Sequence, residues 1–327
     1  MPELTYRGWR EDDDLALNEI WGDPETPQAA QFRGALAPST GSDGGAGTAW
    51  RYCLVAEDHG IPVAAGVVYE TSLHVERLWA YVEVAKDHRR AGVGSTLLAM
   101  LRREAEDAVE SGLVTVGKLR SKVQPGTPGA AFAEAAGLVP IQRSRLVVVH
   151  PGTLKLPVFG DGTEEAATAQ VQDLATGSVE LTDIVGRYYS SVHAWDPTGE
   201  LSVGQVQRLF LDDLSGAHGA IVLREPPASA FGASVEPSRK GRIRAFAISY
   251  TQGAQDVPTD VFLGHEPGLP APEAESAVRD LLALVAHQYP VVLELDDSME
   301  ALRAVVEPLL AEGKAVQDGP DTLVVSD

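Results

Sequence analysis

The sequence contains a single cysteine, Cys53, among its 327 residues. A disulfide framework and a metal cluster built from cysteines are therefore excluded, and Cys53 itself is expected to be a small core residue. The eight histidines are scattered along the chain, and neither an H-E-x-x-H motif nor a G-x-S-x-G nucleophile elbow is present. We therefore expect no metal site and no hydrolase of these two kinds.

Positive charge is scarce as well. Lysine and arginine number 26 against 47 acidic residues, which gives a formal net charge of −21. Such a field argues against nucleic acids and anionic membranes as partners, and mildly favours a cationic small molecule. The start, MPELTYRGWREDDD, lacks the basic and apolar regions of a secretory signal, and no apolar run is long enough to cross a membrane. We expect a cytoplasmic protein that is a monomer or a homodimer.

Hydrophobic periodicity predicts a mixed α/β chain in which one order of elements occurs twice. In the first half, Asp12 to Gly22 is helical and the loop STGSDGGAG follows. The elements predicted after this loop are the hairpin RYCLVAEDHG–IPVAAGVVYETS, the strand RLWAYVEV, a long helix from Ser95 to Gly112, the strand VTVGKL, the helix GAAFAEAAGL and the strand RSRLVVVH.

The stretch PGTLKLPVFGDGTEE, rich in proline and glycine, is predicted to be a linker. After it we predict helices at Leu181–Trp195, Val203–Leu214, Glu273–Gln288 and Met299–Glu312. The strands predicted in this half are AHGAIVLRE, GRIRAFAISYTQ, TDVFLGHE, VVLELDD and DTLVVSD. The aromatic residues Tyr188, Tyr189, His193 and Trp195 lie at helical spacing, which favours core packing over a substrate wall.

Two glycines one residue apart separate a predicted strand from the long helix, in VEVAKDHRRAGVGSTLL. The first turn of a helix has N–H groups without intrahelical partners, and the helix dipole adds positive charge there. Glycines allow close approach of the backbone, so that Arg89–Ser95 could cradle a phosphate. No Gly-Lys-Ser/Thr follows and the third glycine of a dinucleotide fingerprint is missing, which excludes a P-loop and disfavours a Rossmann site.

The pattern Arg89-x-x-Gly92-x-Gly94, after a strand ending in Val82-Glu83-Val84, resembles the acyl-CoA signature of the GNAT superfamily of N-acetyltransferases. Phe132 and the Gly137-Leu138 pair resemble that family's closing motif. Residues 1–150 carry these motifs, whereas about 160–327 share only the order of elements. The whole layout is similar to the tandem GNAT arrangement of mycothiol synthase and many actinobacterial proteins.

This resemblance implies an α/β (α+β) fold of two tandem GNAT-like domains, each a mixed, mostly antiparallel central sheet flanked by helices. Residues 1–150 would form the domain that binds acetyl-CoA and carries out catalysis. Residues 151–163 would be the linker, and residues 164–327 would form a degenerate GNAT-like domain without a pyrophosphate loop. The co-substrate would be acetyl-CoA, held by Val82, Val84, Arg89, Arg90, Ala91, Gly92, Val93, Gly94, Ser95 and Thr96.

Family members usually transfer the acyl group by direct attack of an amine on the thioester. In this chain Ala133 occupies the position of the family's frequent tyrosine acid, and Leu78 and Ala80 occupy its usual carboxylate positions. The general base is therefore left open. Candidates for the base are Glu83, Glu76, His74, Glu70 and water, and candidates for the acid are Tyr69 and Tyr81.

The function implied is acetyl-CoA-dependent N-acetylation of a primary amine of a small molecule. The main alternative is a catalytically silent GNAT-fold protein that binds acyl-CoA or a partner, and a mycothiol synthase-type enzyme is a third possibility. In the second half, PGLPAPEAESAV occupies the position of the cradle without an arginine or a G-x-G. We therefore expect one acyl-CoA site, in the first half, with the second half as a scaffold.

Overall fold

The computed structural model describes residues 4–21, 27–40, 49–226, 241–250 and 257–327. Most of the predicted loop STGSDGGAG lies outside these ranges. The chain forms two compact units. The first contains Met1–Ile141, Asp196–Gly199 and Leu323–Asp327, and the second contains Gln142–Trp195 and Glu200–Thr322. The contiguous domains 1–150, 151–163 and 164–327 stay a prediction, and the compact units are the ones described below.

The first unit is a mixed sheet with helices on both of its faces. Its elements in chain order are β1 (Leu4–Gly8), α1 (Asp13–Trp21), α2 (Pro27–Arg33), β2 (Arg51–Asp58), β3 (Ile61–Tyr69), β4 (Leu78–Val84), a 3₁₀ turn (Lys86–His88), α3 (Val93–Glu110), β5 (Leu119–Val123) and α4 (Pro128–Ala135). Strand β6 (Val139–Val149) follows and lies mostly in the second unit.

The second unit has the same kind of construction. Its further elements are α5 (Glu164–Gln170), β7 (Val171–Leu174), α6 (Val179–Val192), α7 (Val203–Val206) with a π-helical continuation (Gln207–Leu211), β8 (Ala217–Arg224), β9 (Ile243–Tyr250), β10 (Thr259–His265), α8 (Ala271–Val285), β11 (Val291–Asp296), α9 (Glu300–Ala311) and β12 (Ala315–Ser326). No helix in the described ranges has both the length and the apolarity needed to cross a bilayer.

Antiparallel pairing dominates in both units. In the first, β1 to β4 pair antiparallel in chain order, and β4 then pairs parallel with β5 at two positions only. The end of β12, Leu323–Ser326, completes this sheet antiparallel to β5. In the second, β7 to β10 pair antiparallel, β10 pairs parallel with β11 at two positions, and β11 pairs antiparallel with β6. The predicted mixed, mostly antiparallel sheets flanked by helices are confirmed.

Helix α3 covers one face of the first sheet because its apolar residues recur at helical spacing. Leu97, Leu101 and Ala105 are fully buried there against Leu78 and Ala80 of β4. The opposite face packs against α1 in a second cluster. Its members include Leu17, Trp21, Cys53, Val55, Ala65 and Val67. Cys53 is completely buried, and burial raises the pKa of its thiol to about 12, as its predicted core position implies.

The predicted strand VTVGKL is wrong, since β5 begins only at Leu119. Helix α3 ends at Glu110, and the residues between it and β5 form its C-terminal cap and a loop instead. Gly112 adopts a left-handed conformation with φ +75°, and the N–H groups of Leu113 and Val114 donate to the Ala108 carbonyl. Val114 is thereby buried as part of a helix cap. Its β-branched side chain suggested a strand, but helix capping decides the local structure.

Four short elements, β1, α2, α5 and β7, were not predicted. Each of these elements has fewer than nine residues, which is too short for hydrophobic periodicity to identify it as a helix or a strand. The predicted helix Val203–Leu214 is interrupted, because α7 continues as a π-helical stretch and a 3₁₀ turn. The remaining predicted helices and strands are present with shifted ends.

Candidate acyl-CoA site

A gap opens between β4 and β5 in the first unit. The two strands pair only at Leu78–Leu119 and Trp79–Arg120, after which their pairing ends. The β3–β4 ladder continues without a shift of register as far as Val84. One edge of β4 is therefore paired along its length, and the other edge loses its partner after Trp79.

Backbone groups of β4 point into this gap. The Leu78 N–H donates to the backbone carbonyl of Lys118, on the β5 side, at 2.8 Å. The Ala85 N–H donates to the backbone carbonyl of Val63, on the β3 side, at 2.9 Å. Because successive residues of a strand point to opposite edges, the N–H groups of Val82 and Val84 point to the β5 side. Among the residues described, no backbone group of β5 pairs with them. Val82 and Val84 can thus accept an extended ligand as an additional strand.

The N-terminus of α3 follows this strand after the 3₁₀ turn and a short loop, and it has no side-chain cap within the described structure. Gly92 is its N-cap residue, with φ +82°, a conformation that favours glycine. The first backbone bond of the helix runs from the Thr96 N–H to the Gly92 carbonyl at 3.0 Å, and the Thr96 hydroxyl donates to the same oxygen. The N–H groups of Val93, Gly94 and Ser95 therefore precede the first intrahelical bond.

Two arginines shape the loop that enters α3. The Nε of Arg89 donates to the Val84 carbonyl at 2.8 Å, so this side chain ties the loop to the end of β4. Arg90 adopts a left-handed backbone with φ +63°. Ala91 follows and is exposed. The loop, the helix start and the unpaired edge of β4 are thereby brought together.

Gly94 lies where α3, β4 and α4 meet. A Cβ atom at Gly94 would approach the Phe132 ring and Val84 Cγ2 at 3.5 Å, which is ordinary contact. A methyl group would fit there, whereas a longer side chain would extend between β4 and α4. A groove of about 330 Å³ runs beside this point between α3 and α4. Its lining includes Ser95, Leu98, Ala99, Arg102, Phe132 and Ala136.

The opposite face of β4 presents Trp79, Tyr81 and Glu83, because the regular ladder preserves strict alternation. Helix α2 packs on this face through Phe32, whose ring stacks on Tyr81 at 5.0 Å and meets Trp79 edge-on at 5.6 Å. Phe32 is 1% exposed. These rings form an apolar wall beside the gap.

Glu83 is the predicted base that lies at the gap. Arg33 of α2 donates to its carboxylate through Nε at 2.9 Å and Nη2 at 2.5 Å. The Tyr81 hydroxyl donates to the same carboxylate. Burial, reinforced by the Glu83 carboxylate, raises the pKa of the Tyr81 phenol far above its ordinary value. Tyr81 is therefore a weak acid that holds and orients Glu83.

The other base candidates lie elsewhere. His74 and Glu76 precede β4, and at about 3.3 Å per residue the strand separates its Leu78 end from Glu83 by roughly 17 Å. His74 is buried, with Nδ1 2.6 Å from the Asp196 carbonyl oxygen. Glu76 is exposed. The structure does not bring these two residues together with Glu83.

The remaining base candidate, Glu70, and the acid candidate Tyr69 lie at the end of β3. Glu70 directly follows β3 and donates its N–H to the Trp50 carbonyl. Tyr69, the last residue of β3, packs in the cluster that contains Tyr81, and burial raises the pKa of its phenol. Ala133, at the position of the family's tyrosine, is 3% exposed on the inner face of α4. A phenol is therefore absent from that position.

Several residues near the gap were not predicted. Asp196 is completely buried and binds Arg77 at 2.9 Å and Arg120. Arg120 in turn lies 4.1 Å from the centre of the Trp79 ring. Asp196 belongs to the first unit although it is far from it in sequence, and no local pattern marks such a contact. Arg33 was missed because α2 is too short to be recognised.

The corresponding positions in the second unit are built differently. Helix α8 begins after Pro270, and Arg244 lies 3.9 Å from the Glu273 carboxylate in its first turn. On β10, Gly264 is covered by the rings of Tyr188 and Phe246. Tyr188 is 1% exposed, which confirms its predicted role in core packing. His193 and Tyr189 stack at 3.9 Å and are partly buried.

No protein-family profile matches the sequence, and no curated protein matches it. Solved structures do match. A GCN5-related N-acetyltransferase from Sphaerobacter thermophilus aligns over 100% of this chain and 96% of its own, with a TM-score of 0.54 and 13% identity. A tandem GNAT protein from the clavulanic acid biosynthesis pathway aligns over 99% and 98%, with a TM-score of 0.52 and 14% identity.

A third structure, a GCN5-related N-acetyltransferase from Anabaena variabilis, aligns over 99% of this chain and 72% of its own, with a TM-score of 0.51 and 9% identity. At these identities the similarity concerns the fold. The two alignments with nearly complete coverage of both partners span both compact units, in agreement with the repeated order of elements. The chain therefore has the tandem fold of GCN5-related N-acetyltransferase (GNAT) proteins.

Proposed function

We propose that this protein is an acetyl-CoA-dependent N-acetyltransferase that acetylates a primary amine of a small molecule by direct attack. The observation that carries the proposal is the juxtaposition of an uncapped helix N-terminus with an unpaired strand edge. A coenzyme with a pyrophosphate and an extended amide-containing arm needs both features. The similarity of fold to GCN5-related N-acetyltransferases supports the proposal.

The residues present fit such a ligand. The backbone from Arg89 to Thr96 would bind the pyrophosphate, because it ends in helix N–H groups that precede the first intrahelical bond. Val82 and Val84 would pair with the pantetheine arm through groups that point into the gap. The bound thioester supplies the activated acyl group. A backbone N–H of this strand would polarise its carbonyl oxygen.

The acceptor amine would approach on the face of β4 that carries Trp79, Tyr81 and Glu83. An ammonium group with a pKa near 10.4 must lose a proton before it can attack. Glu83 lies at the gap and would take that proton, directly or through a water molecule, with Arg33 and Tyr81 holding the carboxylate in place. Because Ala133 supplies no acid, the leaving thiolate would be protonated by solvent.

Thiol release from acetyl-CoA, measured with a panel of amines, amino acids and aminoglycosides, tests the proposal. Acceleration by one class of amine, with the N-acetyl product confirmed by mass spectrometry, would support it. If no amine accelerates release while coenzyme A still raises the melting temperature, the protein is an acyl-CoA-binding protein without this activity. If coenzyme A does not bind at all, the site assignment itself is wrong.

A further inference from the structure

Lys122 of β5 lies beside the gap, on the same face as the proposed acceptor approach. The alternation of β5 places Arg120 and Lys122 on one face, because Leu119, the first residue of the strand, is buried in the α3 cluster on the other face. Lys122 lies two residues beyond Arg120, the last β5 residue that pairs with β4. It therefore stands across the opening from the β4 side chains Tyr81 and Glu83.

Two cations share one aromatic ring here. The Arg120 guanidinium carbon is 4.1 Å and the Lys122 ammonium 5.8 Å from the centre of the Trp79 ring. Arg120 is neutralised by the buried carboxylate of Asp196. Lys122 makes no ion pair with any carboxylate in the described ranges. An anion beside Lys122 would therefore be stabilised by an ammonium group whose charge no carboxylate in the described ranges balances.

Two carboxylates near this opening, those of Glu83 and Asp196, have other partners. Glu83 is held by Arg33 and Tyr81, and Asp196 by Arg77 and Arg120. An acceptor that carried only positive charge would place an ammonium between Glu83 and an unbalanced lysine. An acceptor with both an amine and an anionic group satisfies both sides of the opening, with the amine toward Glu83 and the anion toward Lys122.

We infer that the acceptor is an amino-carboxylate, an amino acid or a derivative that retains its carboxylate, and that Lys122 binds this carboxylate. Trp79 forms the floor of the subsite, and the apolar wall of Phe32 and Tyr81 packs against the carbon skeleton. The inference rests on the proposed N-acetyltransferase function and specifies its substrate class. Lys122 is here a binding residue that determines specificity and takes no part in proton transfer.

The test compares matched acceptors that differ only in the carboxylate. The pairs are phenylalanine with phenethylamine, tryptophan with tryptamine, and lysine with cadaverine, each assayed for kcat and KM with acetyl-CoA. We expect kcat/KM to favour the carboxylate member by about 10- to 100-fold, the range of one hydrogen bond to a charged group. Lys122→Ala should remove this preference by raising KM for the amino acid, with little change for the amine.

Lys118→Ala is the matched control, because Lys118 is exposed, lies four residues earlier and loses the same charge. It should retain the preference, and Lys122→Arg should restore part of it. The inference is overturned if the wild-type protein favours the decarboxylated members, or if the preference survives in Lys122→Ala. Both outcomes leave the N-acetyltransferase function intact.

A binding experiment covers the case in which no acceptor is turned over, which would contradict the proposed function. N-acetylphenylalanine and N-acetylphenethylamine are titrated calorimetrically into protein saturated with coenzyme A. Binding of the carboxylate compound alone, lost in Lys122→Ala and kept in Lys118→Ala, would support the subsite. Equal binding of the two compounds, or the absence of binding by both, would overturn it.

Discussion

Arg33 and Glu83 form a bidentate ion pair that joins α2 to the end of β4. Arg33 Nε lies 2.9 Å from one carboxylate oxygen of Glu83, and Nη2 lies 2.5 Å from the other. Their side chains are 14% and 11% exposed, so the pair is shielded from bulk water. A planar guanidinium that binds both carboxylate oxygens fixes orientation as well as charge. Arg33 also lies 4.5 Å from the centre of the Trp21 ring, which ties α1 to the same arrangement. One carboxylate is thereby held in a defined position beside the gap.

The first prediction concerns this carboxylate. If Glu83 accepts the proton of the acceptor amine, Glu83→Gln should lower kcat by about 10²- to 10⁴-fold, the usual contribution of a general base. Activity that depends on the ionised carboxylate rises with pH, so the rising acid limb of the kcat profile should disappear in the variant. Steady-state kinetics over a range of pH measures both effects.

A matched control is available at Glu57, which accepts a hydrogen bond from Arg7 Nε at 2.6 Å and is 14% exposed. Glu57→Gln breaks a comparable pair on β2, away from the gap, and should leave the pH profile unchanged. An unaltered profile in Glu83→Gln would instead point to His74 or to water as the proton acceptor.

The second prediction tests the cradle at Gly94. Gly94→Glu should abolish binding of coenzyme A, because the side chain would extend between Val84 and Phe132 and place a carboxylate near the phosphates. Gly94→Ala is the control, since its Cβ finds ordinary contacts at 3.5 Å and should preserve the fold. Isothermal calorimetry with coenzyme A, together with circular dichroism, separates lost binding from lost structure. Normal affinity in Gly94→Glu would refute the assignment.

Much of this site could be predicted from local sequence. The cradle depends on contiguous residues, Arg89 to Thr96, whose backbone conformation follows from glycine chemistry and helix ends. The partners of Glu83 could not be predicted in this way. Arg33 lies 50 residues away on a helix of seven residues, and Asp196, which binds Arg120, comes from a distant part of the sequence. Such contacts depend on tertiary packing, which leaves no periodic signal in one sequence.

The second unit shows the same limit. Its aromatic spacing indicated a packed helix, yet the residue that Tyr188 covers, Gly264, carried no signal in the strand pattern. Likewise, the predicted strand VTVGKL is not formed at its start, because Val114 belongs to the helix cap at Gly112 and β5 begins only at Leu119. A β-branched residue such as Val114 can occupy a cap as well as a strand. Periodic, contiguous features were predictable, whereas features that depend on a distant neighbour were not.

The third prediction concerns Gly264, where the lack of a side chain leaves room for the rings of Tyr188 and Phe246. A Cβ there would lie 2.4 Å from Phe246 Cζ and 2.6 Å from Tyr188 Cδ1, well inside any normal contact. Gly264→Ala should therefore destabilise the protein by about 1–3 kcal/mol through overpacking. Gly219→Ala on β8 is the control, because no atom lies within 4 Å of its Cβ position. Urea unfolding of both variants measures the difference, and equal stability would mean that the rings can shift freely.

The last prediction is that each chain binds one acyl-CoA, in the first unit. The counterpart of the cradle in the second unit begins α8 after Pro270, and Pro272 in its first turn has no N–H to donate. Glu273 adds a carboxylate to that turn, where it stabilises the helix dipole by roughly 0.3–1 kcal/mol and would repel a phosphate. Among the described residues, the cation paired with this carboxylate is Arg244, whose Nη2 lies 3.9 Å from Glu273 Oε2. Calorimetric titration with acetyl-CoA should give a stoichiometry close to one in the wild-type protein and no binding in Gly94→Glu. A stoichiometry near two, or residual binding in Gly94→Glu that Glu273→Lys strengthens, would place a second site at α8 and contradict the prediction.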